Sequence, residues 1–393
     1  MSKQSPISRQ ITLADLAGSQ RYALLHQLRQ SEPVAWLPVL DAWLVTDWHT
    51  AVTIMRDAKR FTVDHPGFST VQVVGRSMLS LDGAAHQQHR TPFERPFRKP
   101  TVHNRFTHPV RQQIEQHLSK LTPQGEAELR RDYAGPIAVQ TMITALGLEA
   151  VPIAKVLCWY DTIVEAVTRV SAGEPVSEVG KAAFAALRQH LLPSLRQPPE
   201  ANLLAQASGA ANNLSDDEII SNAAVLLFGG IETTEGMITN AFFHLLTNPT
   251  VLQTVREELG MMTAVIEESL RLEPAAAVVD RYAVADVTLG SAQIKAGDLV
   301  RVSLLAANRD PDIFPQPDRF DPTRNNLQSH VAFAQGPHVC LGLHLARLET
   351  ELALSQTITR LPNLQLKSDE SAQADAQPRG LIFRKPKALH VFW

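Results

Sequence analysis

The residue whose setting points most directly to chemistry is Cys340, which lies in the run FAQGPHVCLGLHLAR just before an amphipathic helical pattern. Exposed N–H groups and the positive end of a helix dipole stabilise a thiolate at such a position, so we expect Cys340 to be ionised and to bind a metal. Haem iron is the favoured metal, because Gly336 and Gly342 let the backbone approach a flat macrocycle and donate N–H bonds to sulfur. The alternative is a small buried cysteine, which is the commoner role of a lone cysteine.

A second candidate set lies in the segment GGIETT, where Gly229 and Gly230 precede the adjacent carboxylate and hydroxyl of Glu232 and Thr233. Each glycine inside a helix costs about 1 kcal/mol relative to alanine, so we expect another group to approach the backbone here. The Thr233 hydroxyl can bond back to the carbonyl one turn earlier and open a small groove. The alternative is a solvated helix face for both side chains, which the apolar run before them disfavours.

Most of the elements that must position these residues are helices. Ser215 and Glu218 form a capping box ahead of IISNAAVLLFGGI, which is apolar around nearly its whole circumference. This pattern predicts a helix from Ser215 to about Leu246 that crosses the interior of the protein. Helical patterns also dominate the chain from His86 to Leu361.

Short strands are predicted outside and between the helices. The stretches AWLPVL and AWLVTD indicate a small sheet near the N terminus, after a short helix. Beyond about Met55 we expect a long irregular loop, marked by Pro66, Gly67 and Gly75. Further strand-like segments lie at 276–289, 299–304, 381–383 and 388–392. We therefore predict a mainly α fold with small peripheral β-sheets.

The composition favours one large globular domain. The 393 residues contain no Gly/Ser-rich linker or internal repeat, so we predict a single domain over residues 1–393. Hydrophobic residues make up 44% and charged residues 20%, which is typical of a folded protein with an ample core. The formal net charge of -3 provides no basic field, so no nucleic-acid partner is expected.

Cysteine usage and the N terminus bear on the cellular compartment. The chain has two cysteines, Cys158 and Cys340, which excludes a disulfide framework and favours a reducing cytoplasm. Cys158 lies in the apolar stretch VLCWY and is expected in the core. The N-terminal run MSKQSPISRQITLADL is polar, so we expect neither a signal sequence nor a membrane anchor, and we predict a cytoplasmic protein.

The cysteine run closely resembles the ligand loop of the cytochrome P450 family, with Phe333, His338 and Gly342 in matching positions around Cys340. One departure is Ala334, which stands where the family commonly has glycine. The resemblance implies the cytochrome P450 fold, haem b with an axial thiolate, and insertion of one oxygen atom into a hydrophobic organic substrate. Because we expect no N-terminal anchor, the chain is similar to the soluble bacterial members.

The GGIETT segment resembles the oxygen-activating helix of the same family, where a glycine pair adjoins bound dioxygen. This implies that Gly229 and Gly230 border the cofactor, that Thr233 holds dioxygen and an ordered water, and that Glu232 delivers protons from solvent. Glutamate here replaces the aspartate of many bacterial members.

Haem carries two propionates, whose burial requires cationic or hydrogen-bonding partners. His86 and Arg90 lie four residues apart and share a helix face, and the surrounding SLDGAAHQQHRTPF resembles a family helix that begins with His-x-x-x-Arg. The same resemblance implies that Arg281 and His338 are the other propionate partners.

A further family signature concerns the packing of the cysteine loop. Glu268 and Arg271 match the Glu-x-x-Arg signature, and Arg319, in QPDRFDP, matches the arginine that completes a buried triad with them. A buried network of this kind makes directional bonds and fixes how the loop packs. We assign these three residues to architecture and cofactor retention.

The substrate pocket is expected to be apolar, and its predicted walls are the loop 62–82, the region 158–185, Val225, Phe228, and the segments 276–279 and 381–383. Apolar walls favour a hydrophobic substrate. The chain has no Gly-x-Gly-x-x-Gly turn and no cysteine cluster for a flavin or an iron–sulfur centre. Electrons are therefore expected from a separate ferredoxin or flavodoxin.

Arg95, Arg98, Lys99 and Arg347 are either a docking surface for such an acidic partner or ordinary surface charges. We expect the protein itself to be a monomer.

Three alternatives share the haem: a peroxide-driven hydroxylase, a haem-thiolate isomerase, and a non-catalytic haem-binding sensor. The adjacent Glu232 and Thr233 disfavour peroxide use, because peroxide already contains the protons and electrons that such a pair helps to deliver.

Overall fold

The computed structural model describes residues 7–18, 20–171, 174–198, 202–209 and 213–393. Part of the N-terminal run on which we based the prediction of no membrane anchor, residues 1–6, lies outside these ranges. Helices predominate and the sheets are small, which confirms the predicted mainly α fold class.

The described residues form α-helices of four to 31 residues. In chain order they are α1 (Leu13–Ala17), α2 (Arg21–Ser31), α3 (Trp48–Arg56), α4 (Ser69–Val74), α5 (Gly83–Glu94), α6 (Lys99–Leu121), α7 (Gly135–Leu146), α8 (Ile153–Ser171), α9 (Glu178–Leu191), α10 (Leu203–Ala207), α11 (Asp216–Leu246), α12 (Pro249–Glu257), α13 (Met262–Leu272), α14 (Leu304–Ala307), α15 (Leu343–Arg360) and α16 (Glu370–Ala376).

The strands are short, with two to six residues each. They are β1 (Val34–Leu37), β2 (Ala42–Val45), β3 (Phe61–Thr62), β4 (Glu126–Glu128), β5 (Val278–Ala283), β6 (Val287–Leu289), β7 (Ala292–Ile294), β8 (Leu299–Ser303), β9 (Gln365–Leu366) and β10 (His390–Phe392).

These strands form three sheets. The largest has the order β1-β2-β8-β5-β3, in which β2 and β8 are parallel and the other pairs antiparallel. The others have the orders β4-β10-β9 and β6-β7. The predicted N-terminal sheet is therefore confirmed, although it recruits strands from residues 278–303. The predicted strand at 381–383 is reduced to one isolated bridge between Ala276 and Phe383.

Helix α11 is the central element, and its predicted limits are confirmed. The Ser215 side chain accepts a hydrogen bond from the Glu218 N–H, while the Glu218 carboxylate accepts one from the Ser215 N–H, so the capping box fixes the start of the helix. Its 31 residues span about 46 Å. Its first half packs with α7, α8 and α9 in one apolar cluster, and its second half packs with α6, α13 and α15 in another.

Two local predictions are wrong. The segment after Met55 is not entirely irregular, because it contains β3 and α4. Cys158 is exposed, since helix α8 turns Val156, Trp159 and Tyr160 towards the core and leaves position 158 on the outer face. The apolar neighbours of this cysteine in sequence are not its neighbours on the helix surface.

Candidate functional site

Cys340 lies at the end of a tight loop that leads into α15. Its N–H donates to the carbonyl of Phe333 at 2.9 Å, which closes the loop. Gly336 has a φ of +75°, and an added Cβ would lie 2.6 Å from the Met55 carbonyl oxygen, so this position requires glycine. Ala334 also has a positive φ, +59°, which explains why glycine suits this position better.

The Cys340 sulfur is surrounded by donors and positive charge. Backbone N–H groups of Gly342 and Leu343, at the start of α15, bond to it, and the charges of Arg90 and Arg347 favour its negative form. Burial nevertheless raises the pKa of the Cys340 thiol above its ordinary value. The N–H groups at the helix start and the nearby positive charges favour the thiolate while burial opposes it, and a bound metal cation would offset the burial.

The cysteine faces a cavity. The Cys340 side chain is enclosed by protein atoms but keeps some accessible surface because it lines this space. The cysteine loop forms one wall and α11 another, and apolar side chains close the rest. Among the lining residues are Met78, Leu79, Met142, Val225, Leu226, Gly229, Gly230, Thr233, Ala276, Val279, Phe333, His338, Cys340 and Glu349.

The predicted walls at 62–82, Val225 and 276–279 are therefore confirmed. The other predicted walls are wrong, because Phe228 and the described residues of 158–185 and 381–383 are not among the residues that line the cavity. Phe228 packs edge-on against Phe383, with ring centroids 5.3 Å apart.

The two glycines of α11 have different reasons to be small. A Cβ added at Gly229 would meet no atom within 4 Å, because this position faces the open cavity. A Cβ added at Gly230 would overlap the Met142 sulfur on α7. The group that approaches the helix backbone is therefore the Met142 side chain, which packs against Gly230. Gly229 has no such neighbour and leaves space in the cavity.

Thr233 and Glu232 are not on a solvated face. The Thr233 hydroxyl donates to the Gly229 carbonyl at 2.5 Å, one turn earlier, as its position predicts. The Glu232 carboxylate accepts a hydrogen bond of 2.5 Å from the Tyr160 hydroxyl and forms an ion pair of 2.8 Å with Lys385. Tyr160 lies on α8, so the acid connects three separate parts of the chain.

Lys385 extends this network towards the surface. Its ammonium also pairs with Glu235, one turn after Glu232, and Glu235 in turn pairs with Arg130 at 2.9 Å. Sequence reasoning missed Tyr160 and Lys385, because neither stands near GGIETT and each belongs to a segment with an ordinary apolar or loop pattern.

The residues assigned to the propionates offer unused donors. His86 Nε2 and Arg281 Nη2 are buried and have no hydrogen-bond partner among the described residues. Burial lowers the pKa of His86 to about 4 and also lowers the pKa of Arg281. A buried guanidinium nitrogen and a buried imidazole nitrogen without acceptors suit the carboxylates of haem, so the residues present fit this cofactor.

His338 and Arg90 complete this region. His338 Nε2 bonds to Asp82 Oδ1 at 2.8 Å, and its ring centroid lies 4.4 Å from that of His86. Arg90 Nη2 donates to the Val339 carbonyl at 2.8 Å, which ties α5 to the cysteine loop. Both residues line the cavity. Asp82, which sequence reasoning did not single out, holds His338 in place.

The buried triad contains one residue that we predicted wrongly. Glu268 and Arg271 are fully buried and form two bonds of 2.7 Å. The second arginine is Arg324, whose Nε lies 3.0 Å from Glu268 Oε1. Arg319 is exposed, and its carbonyl, not its side chain, accepts bonds from the other two arginines. The turn around Asp321, whose side chain bonds to Thr323, brings position 324 back to Glu268.

Glu349 is a further residue that the sequence did not reveal. It lies on α15, lines the cavity and is 2% exposed, and its Oε2 has no hydrogen-bond partner in the described part of the chain. Burial raises the pKa of Glu349 well above its ordinary value, against the opposing effect of a hydrogen bond with Thr141. In the sequence this glutamate is one polar residue of an amphipathic helix.

The cysteine side of the molecule has a cleft of about 310 Å³ at its surface. Lys99, His103, His344 and Arg347 line it, so two of the four predicted docking residues share one surface feature. Glu267 and Glu351 also reach this cleft.

No helix within the described ranges is both long enough and apolar enough to cross a membrane.

Comparisons with known proteins agree with this geometry. Residues 196–392 match the family model described as Cytochrome P450. "Cytochrome P450 107B1" of Saccharopolyspora erythraea is 32% identical over 372 residues, which are 88% of each chain. The "20-oxo-5-O-mycaminosyltylactone 23-monooxygenase" of Streptomyces fradiae is 32% identical and covers 87% of this chain and 83% of its own. The solved structure of a myxobacterial cytochrome P450, CYP267B1, in complex with myristic acid superposes with a TM-score of 0.83 at 26% identity, over 97% of this chain and 99% of the other.

Proposed function

The chain belongs to the cytochrome P450 family of haem-thiolate monooxygenases, and we propose that Cys340 is its thiolate ligand and that Glu232 and Thr233 deliver its protons. The enzyme oxidises an organic substrate with dioxygen and with electrons from a redox partner. The observation that carries the assignment is the meeting of Cys340, from the loop before α15, and Thr233, from α11, in the lining of one cavity.

Haem b, when bound, activates dioxygen, and the protein binds and orients the cofactor. Cys340 would bind the iron, with the N–H groups of Gly342 and Leu343 directed at its sulfur. The remaining residues would shape and hold the cofactor. These are Phe333 and Gly342 in the cysteine loop, Gly229 and Gly230 on α11, and His86, Arg90, Arg281 and His338 at the propionates.

The contacts of Glu232 support its role as the source of protons. Lys385 and Glu235 link it to Arg130, whose side chain is 26% exposed, so Glu232 stands between the solvent and the cavity. Thr233, next to it, lines the cavity directly. A carboxylic acid that exchanges protons with solvent and a hydroxyl that holds them near the reacting atoms are the parts of a proton relay. A peroxide-driven enzyme has no need of this arrangement.

We further propose that the substrate is hydrophobic. The cavity is lined chiefly by apolar side chains, such as Met78, Leu79, Val225 and Val279. The chain is similar to the 20-oxo-5-O-mycaminosyltylactone 23-monooxygenase and to CYP267B1, whose structure was solved in complex with myristic acid, which supports an organic substrate.

The redox partner that we propose is an acidic ferredoxin or flavodoxin. Lys99 and Arg347 line the cleft on the cysteine side, and Arg95 and Arg98 are exposed shortly before Lys99. Positive side chains on this surface would steer an acidic protein towards the side of the molecule that holds Cys340.

The proposal also takes residues 1–393 as one domain of a monomeric, cytoplasmic enzyme. Support for one domain comes from α11, which contributes to both large apolar clusters and so joins them.

The test is a spectrum followed by a turnover assay. Reduced, carbon monoxide-bound protein should show the strongly red-shifted Soret band of thiolate ligation, and the Cys340→Ser variant should lose it. The wild type should then form an oxygenated product from a hydrophobic substrate with NADPH, a ferredoxin and its reductase. A normal Soret position in the wild type, or a red-shifted band that survives Cys340→Ser, would refute the ligand assignment.

A further inference from the structure

Two adjacent glutamates on α13 hold different parts of the chain. Glu268 binds Arg271 and Arg324, as described above. Glu267 is 2% exposed and forms two bonds with Arg347, of 2.6 and 2.7 Å, and one of 3.0 Å with His330 Nε2. His330 precedes Cys340 and Arg347 follows it, so Glu267 ties both ends of the cysteine loop to one helix.

Arg347 connects this ion pair to the loop itself. Its guanidinium lies over the Phe333 ring, 4.5 Å from the centroid, and the Phe333 carbonyl accepts the hydrogen bond from the Cys340 N–H. Arg347 therefore places its positive charge beside the loop that carries Cys340. The fork of Glu267 bonds fixes this charge in one position, because a bidentate pair restrains both the distance and the plane of a guanidinium.

We propose that Glu267 is a positioning residue that sets how much of the Arg347 charge reaches the thiolate, and thereby sets the reduction potential of the iron. This inference rests on the proposed role of Cys340. Positive charge near a thiolate weakens its donation to iron and favours the reduced, more negative centre. Glu267 partly cancels the positive charge of Arg347. The ion pair therefore keeps the reduction potential below the value that Arg347 alone would give and above the value that Glu267 alone would give.

Two variants that break the same ion pair should therefore move the potential in opposite directions. Glu267→Gln leaves the Arg347 charge uncompensated, so the midpoint potential of the haem-loaded protein should become more positive. Arg347→Gln leaves the Glu267 charge uncompensated, so the potential should become more negative. The double variant removes both charges and should return close to the wild-type value.

One further variant distinguishes the effect of the charge at position 347 from that of its bidentate geometry, and another serves as a control. Arg347→Lys keeps the charge but loses the fork, and it should stay closer to the wild-type potential than Arg347→Gln does. Arg360→Gln is the matched control, because Arg360 lies on the same helix and pairs with Glu115 at 3.1 Å on the surface. It should leave the potential unchanged.

The measurement is a spectroelectrochemical titration of each haem-loaded protein, without substrate turnover. Opposite shifts for the two single variants support the proposal, whereas shifts of the same sign, or no shift in either, overturn it in favour of a purely structural brace. If Glu267→Gln does not retain haem, the two Arg347 variants test the proposal instead. Equal shifts of the midpoint potential in Arg347→Lys and Arg347→Gln would also overturn the proposal. A wild type without the red-shifted carbon monoxide band would instead refute the ligand assignment itself.

Discussion

The Tyr160 hydroxyl on α8 donates a 2.5 Å hydrogen bond to the Glu232 carboxylate on α11. Tyr160 is buried, and burial next to this carboxylate raises the pKa of its phenol, so it remains a neutral donor throughout the working pH range. The bond and the Lys385 ion pair hold the carboxylate from two sides. The orientation of the acid therefore depends on a helix that carries no part of the acid–alcohol motif.

Tyr160→Phe should lower the amount of product formed per NADPH several-fold while NADPH consumption continues. Without the phenol, the Glu232 carboxylate is held by Lys385 alone and is less well aligned with Thr233. Product and NADPH measured in the same reaction give the ratio.

A suitable control is Tyr133→Phe, since the Tyr133 hydroxyl is also buried but donates to the Ala353 carbonyl and not to Glu232. This control should lower the free energy of unfolding by about 1 kcal/mol and leave the ratio unchanged. An unchanged ratio in Tyr160→Phe would show that the phenol has no part in proton delivery.

Thr233→Ala should reduce product formation by about a hundredfold with little loss of haem binding. Its hydroxyl lines the cavity, and alanine removes that hydroxyl without adding volume. Thr239→Ala is the matched control, because the Thr239 hydroxyl makes the same backward bond, to the Glu235 carbonyl, in a fully buried part of α11.

If both threonine variants lose product to the same extent, the effect comes from the helix and not from the reacting centre. The rate of product formation at saturating substrate, together with the haem content of each variant, distinguishes these outcomes.

The buried network around Glu268 provides a stability test of which arginine completes the triad. Arg324→Ala should lower the free energy of unfolding by about 3 kcal/mol, because it removes one partner of a fully buried carboxylate. Arg319→Ala should change it by no more than about 0.5 kcal/mol, because that side chain is exposed. Urea unfolding of the two variants measures the difference, and the reverse order of the two effects would restore Arg319 as the third member.

The parts of the site that the sequence predicted are those determined within one segment. A capping box, an apolar run and a glycine pair are local, so the limits of α11 and the backward bond of Thr233 followed from residues within a few turns. The cysteine loop likewise carries its own turn and the start of its own helix.

The parts that the sequence did not predict depend on packing between distant segments. Tyr160 is 72 positions from Glu232, and Lys385 comes from the C-terminal segment, so no spacing rule connects them. The prediction of Arg319 failed for a related reason. Arg324 is five positions after the predicted Arg319, and only the course of the turn at Asp321 decides which of the two reaches Glu268.

Glu349 should make the protein less stable as the pH rises, and Glu349→Gln should remove that dependence. Since burial raises the pKa of the folded-state carboxyl, the folded protein holds a proton that the unfolded chain releases above its ordinary value of about 4.3. The stability of the wild type therefore falls from about pH 4.3 up to the raised pKa, and is constant beyond it. Glutamine has no proton to lose, so the free energy of unfolding of the variant should rise relative to that of the wild type across this pH window. Below the window the difference between the two proteins should not change. Glu351→Gln, two residues later on the same helix and exposed, should follow the wild type at every pH. Urea unfolding of the three proteins between pH 4 and pH 8 provides the comparison, and parallel curves for wild type and Glu349→Gln would show that Glu349 has no proton-linked effect on folding.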